Sequence, residues 1–258
     1  MPEPHDRVTS AFRVLADAVG DSRPRRPEDA SDPGIPVAAT VVIVRDGATG
    51  PEVLLLERPD RGSFAGAWVF PGGKLDDADR DDAGEPEVDS ARRAGVRETH
   101  EETGLVVGAE DLVTISCWDP PPGLPLRIRT WFFAVHLPDP PAVAGLALSP
   151  DEAIRAEWIR PAEALERHGR GELTLYPPTW VTLDALRGQP DATALLAALR
   201  LGDVEQFETV ARRGPGGPLL LWQDDAEYDE PTDAVAAASG SRHRLEVGVL
   251  PWIYTRTG

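Results

Sequence analysis

The chain has 258 residues, enough to bury a sizeable core, and carries 44 acidic against 26 basic side chains for a formal net charge of −18. That excess disfavours nonspecific binding to nucleic acid and to anionic membranes, and no apolar run approaches the roughly 20 residues needed to cross a bilayer. One cysteine, Cys117, rules out an intrachain disulfide; with no signal-peptide pattern in residues 1–7, the expected setting is a reduced cytoplasm.

In chain order, residues 1–35 form a polar, proline-rich leader with one helical stretch at 8–19, closed by Gly20. Residues 38–44 and 52–57 are β-like runs joined by 45–51, which has hairpin composition. Residues 68–70 end a further short strand at a Pro71-Gly72-Gly73 turn, and the polar stretch 80–89 reads as loop. A helix is expected from about Ser90, capped by Asp89, to Thr103, with Gly104 as its stop. Strands follow at 112–118 and 127–136 around a proline-rich turn, then a short strand at 156–159. Helices are expected from Pro161, over 179–186 and over 192–201. Beyond residue 203 only 218–222 and 243–254 look like strands, with an acidic loop at 224–231. They have three available roles: extending the sheet edge, lining a pocket, or exchanging into a second copy to give a homodimer. The expected division is a leader (1–35), a main domain (36–202) and a C-terminal extension packed on it (203–258).

Residues 97–105 read Arg-Glu-Thr-His-Glu-Glu-Thr-Gly-Leu. On a helix, Glu98, Glu101 and Glu102 fall at i, i+3 and i+4 and share one face. Three like charges so placed repel, and carboxylate oxygens suit hard divalent cations, Mg²⁺ or Mn²⁺, that in turn hold phosphates. The plainer reading is a solvated acidic face. Lys74, the only lysine, directly follows the Gly-Gly turn, where a cation could reach phosphate or simply be a solvated loop lysine. Arg58 and Arg61 are candidate phosphate contacts by the same chemistry, each also readable as surface charge. Arg127 and Arg129 share one side of a strand and face either substrate or solvent. Cys117 reads as a buried strand residue, and Trp118, Trp131 and Trp158 as core or pocket wall in preference to stacking surfaces.

A strand end, Phe70-Pro71-Gly72-Gly73, and a helix bearing Arg97-Glu98-Thr99-His100-Glu101-Glu102-Thr103-Gly104-Leu105 together resemble the Nudix hydrolase family. Its signature is Gly, five residues, Glu, seven residues, then Arg-Glu-apolar-x-Glu-Glu-x-Gly-apolar. Here Thr99 stands where an aliphatic residue is usual. The first half is also enlarged, with twenty-three residues from Lys74 to Val96 in place of thirteen. Two residues qualify for its glutamate: Asp79 keeps the spacing to Gly73, and Asp89 keeps the spacing to Arg97. The enlarged box is similar to that of the acyl-coenzyme A diphosphatase branch, as are Thr130-Trp131-Phe132-Phe133 and Leu175-Tyr176-Pro177-Pro178-Thr179. Leu54-Leu55-Leu56-Glu57-Arg58, Gly62 and Gly66 follow half of the coenzyme A pattern, with Leu56 for its threonine and Gly62 for its second arginine.

The resemblance implies an α/β fold, the Nudix α/β/α sandwich with a mixed β-sheet. It implies divalent-metal-dependent hydrolysis of a pyrophosphate bond, with Glu98, Glu101, Glu102 and the Gly73 carbonyl as metal ligands. Glu98 is favoured as the proton acceptor, and Arg97 orients the carboxylates. A distant glutamate sometimes assists, for which Glu152 and Glu157 are candidates, while His100 faces solvent. The substrate it points to is a small nucleoside diphosphate derivative. Coenzyme A or an acyl-coenzyme A comes first, giving 3′,5′-ADP and (acyl-)4′-phosphopantetheine. ADP-ribose or NADH is the alternative, and a ligand-binding module without catalysis the second.

Overall fold

A computed structural model describes residues 23–26, 28–29, 32, 34–61, 64–82, 84–124, 127–229 and 240–257 of the protein. The expected helix at 8–19 lies outside them.

The chain's most apolar segments become the centre of an eight-stranded sheet. Strands β1 (Val37–Gly47) and β2 (Gly50–Glu57) are buried along most of their length. Val53 and Leu55 enter one apolar cluster while Leu54 and Leu56 enter another on the opposite face. A strand covered on both faces needs such a continuous run in place of apolar–polar alternation. The hairpin is tighter than the composition suggested: pairing runs to Gly47 opposite Gly50, leaving a two-residue turn.

The remaining strands of this sheet are β3 (Trp68–Val69), β4 (Gly72–Lys74), β5 (Val113–Asp119), β6 (Arg129–His136), β7 (Arg155–Ile159) and β8 (Glu205–Glu208). Their order is β3-β2-β1-β6-β5-β8, with β4 against β1 and β7 against β2. Two pairings, β1–β6 and β5–β8, are parallel and the others antiparallel, so the sheet is mixed. Strand β4 corrects the reading of Pro71-Gly72-Gly73 as turn: Gly72 and Gly73, with Lys74 after them, pair with Ala38–Thr40.

Helix α1 (Glu87–Thr103) lies on one face. It starts three residues earlier than expected, with Pro86 at the N-cap; Asp89 sits inside its first turn and is not the cap. Gly104 closes it in the left-handed conformation (φ 73°), as Gly at C′ does without steric cost. Its buried side is built from small residues, Ser90, Ala91, Ala94, Gly95 and Thr99. A Cβ on Gly95 would sit 2.9 Å from Val41 Cγ2, so the absence of a side chain lets the helix approach β1 closely.

Helices α2 (Pro161–Gly169), α3 (Pro177–Ala185) and α4 (Ala192–Leu201) contribute to the opposite face. This is the α/β/α sandwich with a mixed sheet. The expected single strand at 243–254 is two, β11 (Arg242–Glu246) and β12 (Ile253–Thr257). With β9 (Val210–Gly214) and β10 (Gly217–Leu221) they form a second, antiparallel sheet. Leu220, Trp222, Leu245, Val247 and Trp252 share one apolar cluster with Val42, Leu55 and Phe132. Trp118 stacks on Phe207 at 3.8 Å with Trp222 edge-on to both. Among the described residues no helix is long and apolar enough to cross a membrane.

Candidate active site

The C-terminal half of α1 carries its carboxylates against β4, and Arg97 organises them. Its Nε and Nη2 donate to Asp79 Oδ1 and Oδ2 at 3.1 and 2.8 Å, and Nη1 donates to Glu98 Oε1 at 2.9 Å and Glu101 Oε2 at 3.0 Å. Nη2 also reaches the Lys74 carbonyl at 3.1 Å. A guanidinium so surrounded is a fixed fork. Burial by itself would raise the Asp79 carboxyl, but Arg97 and the Asp76 N–H together hold it below its ordinary value. Of the two aspartates that the spacing allowed, Asp79 is the one at the site; Asp89 is not among the partners of Arg97.

Glu102 is only 3% exposed and accepts from the Gly72 N–H at 2.8 Å. Burial pushes its carboxyl up to about 8; the Gly72 N–H and Arg58 oppose the rise, while Glu152 and Glu98 add to it. Burial also raises Glu98, against the pull of Arg97, with Glu101 and Glu152 adding repulsion. Glu152 therefore belongs to the same electrostatic cluster. Backbone bonds from Ala147 N to Thr103 O and from Ser149 N to Glu102 O tie its segment to the helix end. Glu157, the other candidate, is engaged elsewhere, by Arg167 at 2.6 Å. Glu101 and His100 are exposed.

The cations sort differently from one another. Arg58 forms no ion pair among the described residues, its Nε is buried without a hydrogen-bond partner, and its field acts on Glu102. Arg61 is exposed and paired with Asp151. Lys74 is exposed. Arg127 and Arg129 are largely buried, and Arg129 lines a cavity with Glu87, Cys117, Asp119, Trp131, Gln206 and Glu208. Both contact Asp119, and Arg129 also contacts Glu87 at the far end of α1. Trp118 and Trp158 are core, and half-buried Trp131 donates to Glu87. Cys117 is buried, which pushes its thiol up to about 12 and leaves it inert.

The two glycines have separate duties. A Cβ on Gly73 would lie 2.3 Å from the Glu98 carboxyl carbon, so that carboxylate occupies the space where a side chain would be. The bonds from Val41 N to Pro71 O and from Leu75 N to Val37 O fix the ladder phase, and the register sets Gly73 opposite Ala39 in that same phase. Its carbonyl is thus turned into the sheet. Gly73 also contributes room for the Glu98 carboxylate, and Gly72 contributes an N–H.

Among the described residues no three acidic, imidazole or thiol groups form a ready-made metal cage. The donor set nevertheless fits hard cations. It offers only oxygens, and desolvation and mutual repulsion raise both Glu98 and Glu102 against the opposing charges of Arg97 and Arg58.

The NUDIX domain family profile matches residues 34–177. The chain is similar to the crystal structure of a NUDIX hydrolase from Alicyclobacillus acidocaldarius, with a TM-score of 0.57 and 26% identity over 66% of this chain and 98% of that one. It is also similar to a MutT NUDIX hydrolase from Burkholderia pseudomallei (TM-score 0.41, 25% identity, 58% and 95% covered). A third similar structure is the NUDIX domain of Shewanella oneidensis NrtR, a complex with ADP ribose (TM-score 0.46, 14% identity, 62% and 90% covered). No curated protein sequence matches significantly. The chain belongs to the Nudix family, and its class of activity is the hydrolysis of pyrophosphate bonds.

Proposed function

We propose that this chain hydrolyses the pyrophosphate bond of a small nucleoside diphosphate derivative, with coenzyme A or an acyl-coenzyme A as its first substrate. The observation that carries the proposal is Arg58: in a chain of net charge −18 it forms no ion pair among the described residues, and its charge acts on buried Glu102. A cation kept free beside a carboxylate cluster is arranged to receive an anion, and a guanidinium fork suits phosphate.

Glu98, Glu101 and Glu102 would hold Mg²⁺ or Mn²⁺, with Glu152 close to the same cluster. The bound ions would neutralise phosphate charge and lower the pKa of water. Arg97 orients Glu98 and Glu101. Glu98 engages Arg97 through Oε1 and keeps its second oxygen to take the proton of the attacking water. Arg58 holds a phosphate, exposed Lys74 is a second candidate phosphate contact, and Arg61 takes part by releasing Asp151. The enlarged box and the half-matched coenzyme A pattern support the choice of substrate. We place the enzyme in the cytoplasm, with residues 203–258 serving as an extension packed on the catalytic domain.

The test is a turnover screen with Mg²⁺ and with Mn²⁺, resolving products by mass, over coenzyme A, acyl-coenzyme A species, ADP-ribose and NADH. Release of 3′,5′-ADP from the coenzyme A set alone is expected. Turnover confined to ADP-ribose or NADH would discard coenzyme A and keep the chemistry.

A further inference from the structure

Phe64 is one of two described non-glycine residues in the left-handed region, at φ 62°, and the residue is 42% exposed. A bulky side chain is rarely held there, because its Cβ crowds the backbone, and an exposed apolar ring gains little from burial in return. Its surroundings fix it nonetheless. The Phe64 carbonyl accepts from Ala67 N at 3.0 Å, and its ring meets Tyr176 edge-to-face with centroids 4.7 Å apart at 90°. Tyr176 is in turn held as the N-cap residue of α3, two residues beyond Thr174, whose carbonyl accepts from Trp68 N at 2.9 Å.

The strand registers place the Phe64 turn beside Arg58, at the end of β2. Arg58 N donates to Ala67 O, directly across from the Phe64 turn. Strand β2 pairs Glu57 with Arg155, so the next residue, Arg58, stands opposite Ile154; the Arg61–Asp151 ion pair continues that register. Leu54 and Leu56 enter the cluster beneath α1, and Arg58 continues that face toward Glu102. Arg58 is therefore flanked by the Phe64 turn on one side and by Ile154, 43% exposed, on the other.

We propose that Phe64, braced by Tyr176, is a substrate-contact residue that stacks on the nucleobase of the diphosphate substrate. The proposal rests on the reading that Arg58 and the α1 carboxylates hold the diphosphate. A ring fixed in advance loses little conformational freedom on binding, which suits it to stack on a planar base.

The experiment measures binding of ADP and of inorganic pyrophosphate in Mn²⁺ by titration calorimetry, for wild type and for Phe64→Ala, Phe64→Gly and Phe64→Tyr. Phe64→Ala should weaken ADP about ten-fold and leave pyrophosphate unchanged. Phe64→Gly should weaken ADP as much, although it relieves the backbone, and Phe64→Tyr should bind as wild type does. An equal effect on both ligands, no effect on either, or no ADP binding by wild type would overturn the proposal. So would a loss confined to the acyl part of acyl-coenzyme A with coenzyme A itself unaffected. Binding is read without turnover, so failure of the hydrolytic reading would show separately, in the substrate screen.

Discussion

Arg97 and Asp79 meet side-on, Nε to Oδ1 at 3.1 Å and Nη2 to Oδ2 at 2.8 Å, and this two-point contact joins the halves of the enlarged box. Asp79 touches Arg97, and Arg97 touches Glu98 and Glu101. Asp79→Asn should therefore lower turnover by about 10–100-fold, the usual cost of losing a residue that orients metal ligands. Asp89→Asn should leave it intact. Steady-state kinetics of the two variants in Mn²⁺ decide this, and an equal loss in both would contradict the assignment.

Gly72 and Gly73 should respond differently to alanine. At Gly72 the new Cβ would meet the Ala39 carbonyl oxygen at 2.2 Å on a backbone with φ 153°, and backbone cannot step aside. Gly72→Ala should therefore unfold at clearly lower temperature. At Gly73 the obstacle is the Glu98 carboxylate, the far end of a flexible side chain. Gly73→Ala should keep its melting temperature near wild type and lose turnover. Melting curves paired with kinetics separate the two.

Thr99 replaces the family's aliphatic residue on the buried side of α1, is fully buried, and leaves its hydroxyl oxygen without a partner. Thr99→Val keeps the shape and removes that unsatisfied group, so it should stabilise the fold by about 1 kcal/mol. A denaturant midpoint below that of wild type would show that the hydroxyl has a partner in solution.

Much of this was legible in the sequence. The motif helix and its carboxylate spacing are local features, and so are the apolar runs of β1 and β2. Residues 205–214 were not read as strands, because β8 gains its definition from a partner far along the chain, β5, and the Arg212-Arg213 pair masks the hairpin of β9 with β10. The 243–254 run hid a reversal at 247–252. Within the site, spacing alone left Asp79 and Asp89 equal, and also Glu152 and Glu157; only packing separates them. Phe64 gave no signal, since its conformation is set by the 64–67 turn and by Tyr176.

His168 gives a pH signature. It is buried against Trp252, with Nδ1 3.0 Å from the Leu173 carbonyl and Nε2 unpartnered. Burial lowers its pKa from 6.5 to about 4, against the raising effect of the Leu173 bond. Between those values the unfolded chain binds a proton that the folded chain refuses. Stability therefore falls as pH falls through that window, by up to about 3 kcal/mol, and the contribution is flat above pH 6.5. Denaturant midpoints of wild type and His168→Gln across pH 4–7 check this. A stability difference between the two that does not change with pH would contradict it.

The central claim is that the α1 carboxylates carry the hydrolysis. It is tested most directly by kcat of wild type and Glu102→Gln at saturating substrate across a Mn²⁺ titration, with a melting curve for each. The account predicts a loss of about a hundred-fold or more, equivalent to several kcal/mol of barrier, in a variant that melts at or above the wild-type temperature. Wild-type turnover from folded Glu102→Gln would contradict it.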